Sequence, residues 1–291
     1  PVKSTKKKSP EKPVKSTKKK SPATKKKKKT ASKPAPQALT CSVPGEYMDS
    51  MAKKCVMACD VNTQTVHLFG VLHNCDETSL SFTSIAYQTI PQSIVGLANL
   101  TSLELSGNLR GTIPTVLGKL QQLSFLTLQN TRGLSGTIPT ELGKLSKLTH
   151  LDLSYNDLTG TIPTDLSKIN NLTVIFLSGN SLKGTLPKLN ENLEYLLLDN
   201  NNLNGALPSD SMTNLRFLNL MENRFSGPIP NTYGTLSLLI FLDLSRNLYL
   251  SGKIPTDLGM LTELTYLDVS SNMLTGSIPS ELDQLAFLET L

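Results

Sequence analysis

The sequence predicts an α/β repeat solenoid: a right-handed superhelix of short coils with a parallel concave β-sheet and short helical or irregular segments on the convex side. Three observations carry this. Glycine recurs at Gly111, Gly136, Gly160, Gly184, Gly205, Gly227, Gly252 and Gly276, at spacings of 25, 24, 24, 21, 22, 25 and 24 residues. Proline repeats the same spacings at Pro114, Pro139, Pro163, Pro187, Pro208, Pro230, Pro255 and Pro279. One phrase fills the intervals, complete in "LTHLDLSYNDLTGTIPTDLSK" (Leu148 to Lys168). A fixed period of this length marks units that bury their apolar edges only against their neighbours.

The elements of one coil follow in order. Leu148, Leu151 and Leu153 alternate with polar residues, which is the period of a strand with one buried face. Asn156 comes next, and Asn108, Asn180, Asn201, Asn223, Asn247 and Asn272 hold the same slot; one coil has Thr131 instead, with Asn130 beside it. A side-chain amide donates and accepts, so a stack of them is expected to satisfy backbone groups where each coil turns. Leu158 returns to the core, and Gly160 supplies a bend that a larger side chain resists. Ile162-Pro163 reads as extended, because proline biases the residue before it away from helix. Leu166 and Ile169 leave room for a turn or two of helix outside. With strands about 4.8 Å apart, eight coils give a curved sheet on the order of 40 Å long. The short spacings from Pro187 to Pro230 trim the outer side without dividing the domain.

The wording "LxxLxLxxNxLxGxIPxxLGxL" resembles the plant-type subclass of leucine-rich repeats, from about Leu80 to Leu291. "LSFTSIAYQTIP" (Leu80 to Pro91) is similar to a degenerate first coil, and "LAFLETL" (Leu285 to Leu291) to the start of another, about nine coils in all. The resemblance implies receptor ectodomains, cell-surface co-receptors or secreted inhibitors of wall-degrading enzymes. It also implies binding by the concave face, and it brings no catalytic residues. The family's amino-terminal cap usually carries a tryptophan, and this chain has none.

Two dissimilar segments precede the coils. The chain holds 29 basic and 23 acidic residues, yet residues 1–40 contain 15 lysines and one acid, Glu11, leaving a net of −8 for the remainder. This tail duplicates "PVKSTKKKSP" and adds the run Lys25 to Lys29. With almost nothing apolar to bury it is expected to be disordered, serving as a solvated spacer or as a contact to a polyanion such as acidic polysaccharide, membrane surface or nucleic acid. Ser9 and Ser21, each before proline, are candidate phosphorylation positions. Residues 41–79 form the expected cap. They hold all four cysteines, Cys41, Cys55, Cys59 and Cys75, an even cluster that reads as two disulfides of open pairing. The rival, zinc bound with His67 and His73, lacks a matching ligand spacing. Sequons at Asn99 and Asn171 occupy equivalent places in residues 80–291, the solenoid, and add to an extracellular expectation. No run reaches the roughly 18 residues of a membrane span. The chain starts without methionine and stops inside a coil, so a leader, an anchor or a signalling kinase is expected to lie outside this segment.

Side chains between the buried leucines face the concave surface. The first slot reads Ser102, Phe125, His150, Val174, Tyr195, Phe217, Phe241, Tyr266, and the second Glu104, Thr127, Asp152, Phe176, Leu197, Asn219, Asp243, Asp268. Aromatics in one column are expected to stack on one another. The departure is Phe176 and Leu197, apolar where the phrase has Asp. With Val174, Tyr195, Phe217 and Met221 they form the candidate centre of a protein or peptide site, rimmed by Asp152, Asp243 and Asp268. The acids suit a basic partner, this chain's own tail included.

No catalytic constellation or cofactor loop appears. His150 and Asp152 share a face without a nucleophile, and Asp243 with Asp268 are repeat aspartates rather than a glycosidase pair. The expected function is non-catalytic recognition outside the cell. The alternative is an intracellular or nuclear scaffold whose lysine tail binds nucleic acid, with affinity falling steeply in salt.

Overall fold

The computed structural model describes residues 65–291 apart from 86, 132, 210 and 211. Every described residue belongs to one compact unit. The expectations for the lysine tail and for Cys41, Cys55 and Cys59 therefore lie outside the described residues; Cys75 is disulfide-bonded.

An antiparallel hairpin, Thr65–Leu68 with Val71–Asn74, precedes the coils. Its two turn residues, Phe69 and Gly70, both have positive φ, the geometry that matches the twist of paired strands. Phe82 of the first coil meets Phe69 and His73 edge-on, at 5.3 and 5.5 Å, so the hairpin packs against the coil end. His73 Nδ1 lies 3.0 Å from the Glu77 carboxylate. No group of three metal-ligating side chains occurs among the described residues.

Nine parallel strands, one per coil, form the concave sheet in chain order: Ser79–Ile85, Ser102–Gly107, Phe125–Thr127, His150–Asp152, Val174–Phe176, Tyr195–Leu197, Phe217–Asn219, Phe241–Asp243 and Tyr266–Asp268. A parallel bridge from Tyr266 to Thr290 begins another. The leucines that alternate along these strands are fully buried in one continuous core.

The sequence predicts one parallel sheet in the coils; among the described residues there are two. Residues ahead of each recurring glycine, such as Asp157–Gly160 and Ser181–Thr185, pair with their neighbours into an eight-stranded parallel sheet beside the first. The bend expected at Gly160 is thus part of a short strand. All eight glycines have φ between +78° and +86°, a region that L side chains resist. The convex side carries seven five-residue 3₁₀ helices, each entered from an extended proline, and no α-helix among the described residues. The short-spaced coil at Pro187 has no 3₁₀ helix, and both sheets run unbroken through it and the next, at Pro208. Their missing residues come from the outer side.

The asparagine stack works as an internal ladder. Asn180 Nδ2 donates to the carbonyls of Leu153 and Leu177, at 3.0 Å each, and its Oδ1 accepts from the Leu158 backbone N–H of the coil before. Asn201, Asn223 and Asn247 repeat this pattern. Thr131 continues the ladder instead of breaking it: its hydroxyl donates to Asn156 Oδ1 at 2.5 Å and accepts from Leu134 N–H at 3.3 Å. Asn108 is the exception. There the concave strand runs on to Gly107, and the side chain is exposed.

Candidate functional site

Strand register sets the concave surface. Phe125, His150, Val174, Tyr195, Phe217, Phe241 and Tyr266 are direct cross-strand partners in sequence, as are Asp152, Phe176, Leu197, Asn219, Asp243 and Asp268. The first row stacks as expected. Tyr195, Phe217, Phe241 and Tyr266 lie ring on ring with centroids 5.1, 5.9 and 4.4 Å apart. Val174 interrupts the column. Phe176 crosses from the second row to meet His150 edge-on at 5.4 Å, and His150 stacks on Phe125 at 5.7 Å. Burial between these rings lowers the His150 pKa, with Asp152 opposing that shift.

The second row explains why the phrase has Asp there. Asp243 Oδ1 accepts from the Ser245 backbone N–H at 2.9 Å and its hydroxyl at 2.7 Å; Asp152 does the same with Ser154 at 2.9 and 2.6 Å. Asp268 caps Ser270 N–H at 2.8 Å, and Asn219 caps Met221 N–H at 3.1 Å. These short side chains close their own turns, leaving Asp152 and Asp243 only 6% and 4% exposed. The expected acidic rim is corrected accordingly: Asp152 and Asp243 are buried turn caps, and Asp268, half-buried, is the member of that trio open to solvent. Desolvation raises the Asp243 pKa against its Ser245 hydrogen bonds, with Asp268 and Asp199 adding repulsion.

Phe176 and Leu197 cannot cap a turn. In the Phe176 coil the Ser178 hydroxyl turns to the next coil and donates to Asp199 Oδ1 at 2.5 Å, replacing the missing local acceptor. Val174, Phe176, Tyr195, Leu197, Phe217 and Met221 are gathered on neighbouring strands as expected, but they are half-buried against one another rather than fully exposed. Asn99 and Asn171 are both exposed, and Asn171 Nδ2 donates to the Ser146 carbonyl at 2.8 Å.

One surface escaped the sequence reading although the phrase "GTIPT" spells it out. In each coil the residue after the recurring glycine is solvent-facing. Thr112, Thr137, Thr161 and Thr185 fill this slot in four consecutive coils, and Thr89, after Gln88, holds the equivalent place in the first coil, all exposed. A second exposed column, Thr115, Thr140 and Thr164, lies one Ile-Pro step onward. A Cβ built on Gly136, Gly160 or Gly205 would sit 2.8–2.9 Å from the Cγ2 methyl of the preceding coil's threonine. The methyls are therefore seated on the next coil's glycine.

Residues 121–182 match a family model described as leucine rich repeat, and 192–212, 214–236 and 263–285 match a second with that description. No curated protein matches the sequence. Among solved structures, the chain is similar to the LRR ectodomain of the plant membrane receptor kinase GASSHO1/SCHENGEN3 from Arabidopsis thaliana, solved with CASPARIAN STRIP INTEGRITY FACTOR 2. Identity is 31% and the TM-score 0.64, over 74% of this chain and 29% of that one. The plant peptide hormone receptor RGFR1 in complex with RGF2 is 31% identical with a TM-score of 0.56, over 73% of this chain and 42% of the receptor. A plant ice-binding protein is 29% identical with a TM-score of 0.62, over 73% of this chain and 72% of its own. The chain thus spans less than half of either receptor. Repeats, two-sheet coil and matched models agree: the chain belongs to the plant-type leucine-rich-repeat family.

Proposed function

We propose that the solenoid is a non-catalytic recognition module that binds a protein or peptide on its concave face, centred on Phe176 and Leu197. The carrying observation is that these two residues forgo the turn-capping role that Asp152, Asn219, Asp243 and Asp268 perform in the same row. They place apolar surface beside a stacked aromatic column instead. Large, ordered aromatic surface costs little entropy to engage and favours anchoring contacts. Asp199 and Asp268, half-buried, favour a basic side chain in the ligand. The two receptors, solved with a peptide hormone or another named factor, support this reading and an extracellular or membrane-anchored setting. A signalling kinase outside this segment belongs to the same proposal.

Selecting a displayed peptide library on the immobilised solenoid tests it. Selected peptides should lose at least about 10-fold in affinity to Phe176→Asp and Leu197→Asp, the scale of an anchor residue. Thr161→Lys, on the other sheet, should bind them normally. Undiminished affinity in both concave variants, with intact melting curves, would remove the patch from consideration.

A second reading, binding to ice, is favoured by the exposed threonine columns. The similar plant ice-binding protein, matched over most of its length, supports it.

A further inference from the structure

We propose that the threonine columns of the second sheet are the ice-contacting face of this solenoid; the assignment rests on the ice-binding reading above. Four features of the sheet carry it.

The first is repeat. Strands in a parallel sheet stand roughly 4.8 Å apart, and across neighbouring strands Thr112 pairs with Ser135 and Thr137 with Thr159, so hydroxyl-bearing residues lie side by side at that spacing. This lies close to the a-axis repeat of hexagonal ice, and Thr137, Thr159 and Ser181 continue it across three coils. The second is hydrogen-bonding capacity. On the strand side of the glycine, the hydroxyls of Ser135, Thr159, Ser226 and Thr275 donate to glycine carbonyls of the preceding coil, at 3.2–3.4 Å. Those of Thr112, Thr137, Thr161 and Thr185 make no hydrogen bond among the described residues, so they are left for an external lattice.

The third is rigidity. Each methyl is wedged against a glycine with no room for a Cβ, so the row is ordered before any contact and loses little entropy on binding. The fourth is neutrality. From Thr112 through Ser135, Thr137, Thr159 and Thr161 the two slots carry no charge. Arg110, at one end, leans over the Tyr87 ring at 4.3 Å, and Lys183 begins the other end. Asp157, exposed and opposite Ser135 in the register, brings a single carboxylate to this interval. A surface offering aligned methyl and hydroxyl groups can hold ordered water, the methyl limiting competing hydration and the hydroxyl joining the network.

The test compares the intact chain with Thr137→Lys/Thr161→Lys in slowly growing ice, following partition into the solid and inhibition of recrystallisation, with melting curves confirming the fold. The wild type should enter the ice and the double variant should be excluded, while Glu263→Gln, an exposed position outside both threonine columns, partitions like the wild type. If the double variant fails to fold, Thr161→Ser, which removes a single methyl, should weaken partition in the same direction. Wild-type activity that survives these substitutions would overturn the face assignment and leave ice binding standing. A wild type inert toward ice would overturn both, as would retention on microcrystalline cellulose without any effect on ice.

Discussion

Asp243 illustrates how a single side chain serves the coil and resists it at once. It closes the turn at Ser245, yet it is buried and sits directly opposite Asp268 in the register. Its folded pKa is raised, mainly by desolvation. The folded state therefore takes up a proton there before the unfolded state does. The group favours folding at low pH and loses that contribution as pH rises through the folded pKa. Asn219 shows that an amide can cap the same turn. Asp243→Asn is accordingly expected to match or exceed wild-type stability at pH 7 by about 0.2–1 kcal/mol, the scale of a relieved like-charge pair. The difference should vanish near pH 3. Urea unfolding at the two pH values measures it, and a large loss at pH 7 would contradict the capping account.

At the scale of the element, the asparagine ladder does what a hydrophobic core cannot, because it satisfies buried backbone groups at the inner turn. Replacing Asn180 by Ala removes one acceptor and two close donor contacts, leaving the Leu158 N–H and the Leu153 and Leu177 carbonyls short of partners. A loss of about 2–4 kcal/mol is expected, since unmade buried hydrogen bonds carry their full desolvation cost. Chemical denaturation gives the value, and a loss below about 1 kcal/mol would mean that water replaces the amide. This ladder was legible in the sequence, down to the side-chain chemistry, because its spacing is fixed and its residue type has one evident use. The second sheet was not. Its strands are two to five residues long and lie at or beside a recurring glycine, a local signal that reads equally as a bend. Thr131 was legible only as an exception; that its hydroxyl continues the ladder depends on the position of Asn156 in the next coil.

Across the whole solenoid, each coil's packing and hydrogen bonds are made mainly with its neighbours, and stability should scale with coil number. Excising residues 137–160, one full interval between Gly136 and Gly160, is expected to leave a cooperatively folded chain with a urea m-value lower in proportion to the lost surface. Equilibrium unfolding decides this, and a molten product would show that the coils are not interchangeable. The concave patch was readable at this scale from the slots alone, since strand alternation assigns faces without coordinates. The burial of Asp152 and Asp243 was not, because it depends on how far each carboxylate folds back onto its own turn.

The contact between each threonine methyl and the next coil's glycine also carries information about descent. Gly160 is held twice over, by its left-handed φ and by the Thr137 methyl at 2.8 Å. After Ala206 fills the threonine slot, a Cβ on Gly227 would meet nothing within 4 Å, and after Pro228 the clearance at Gly252 is 3.5 Å. Steric release thus comes from the threonine side: once that residue shrinks, the glycine behind it is held by conformation alone. In a lineage of such chains, the row should erode in that order, with glycines lost only downstream of threonines already gone.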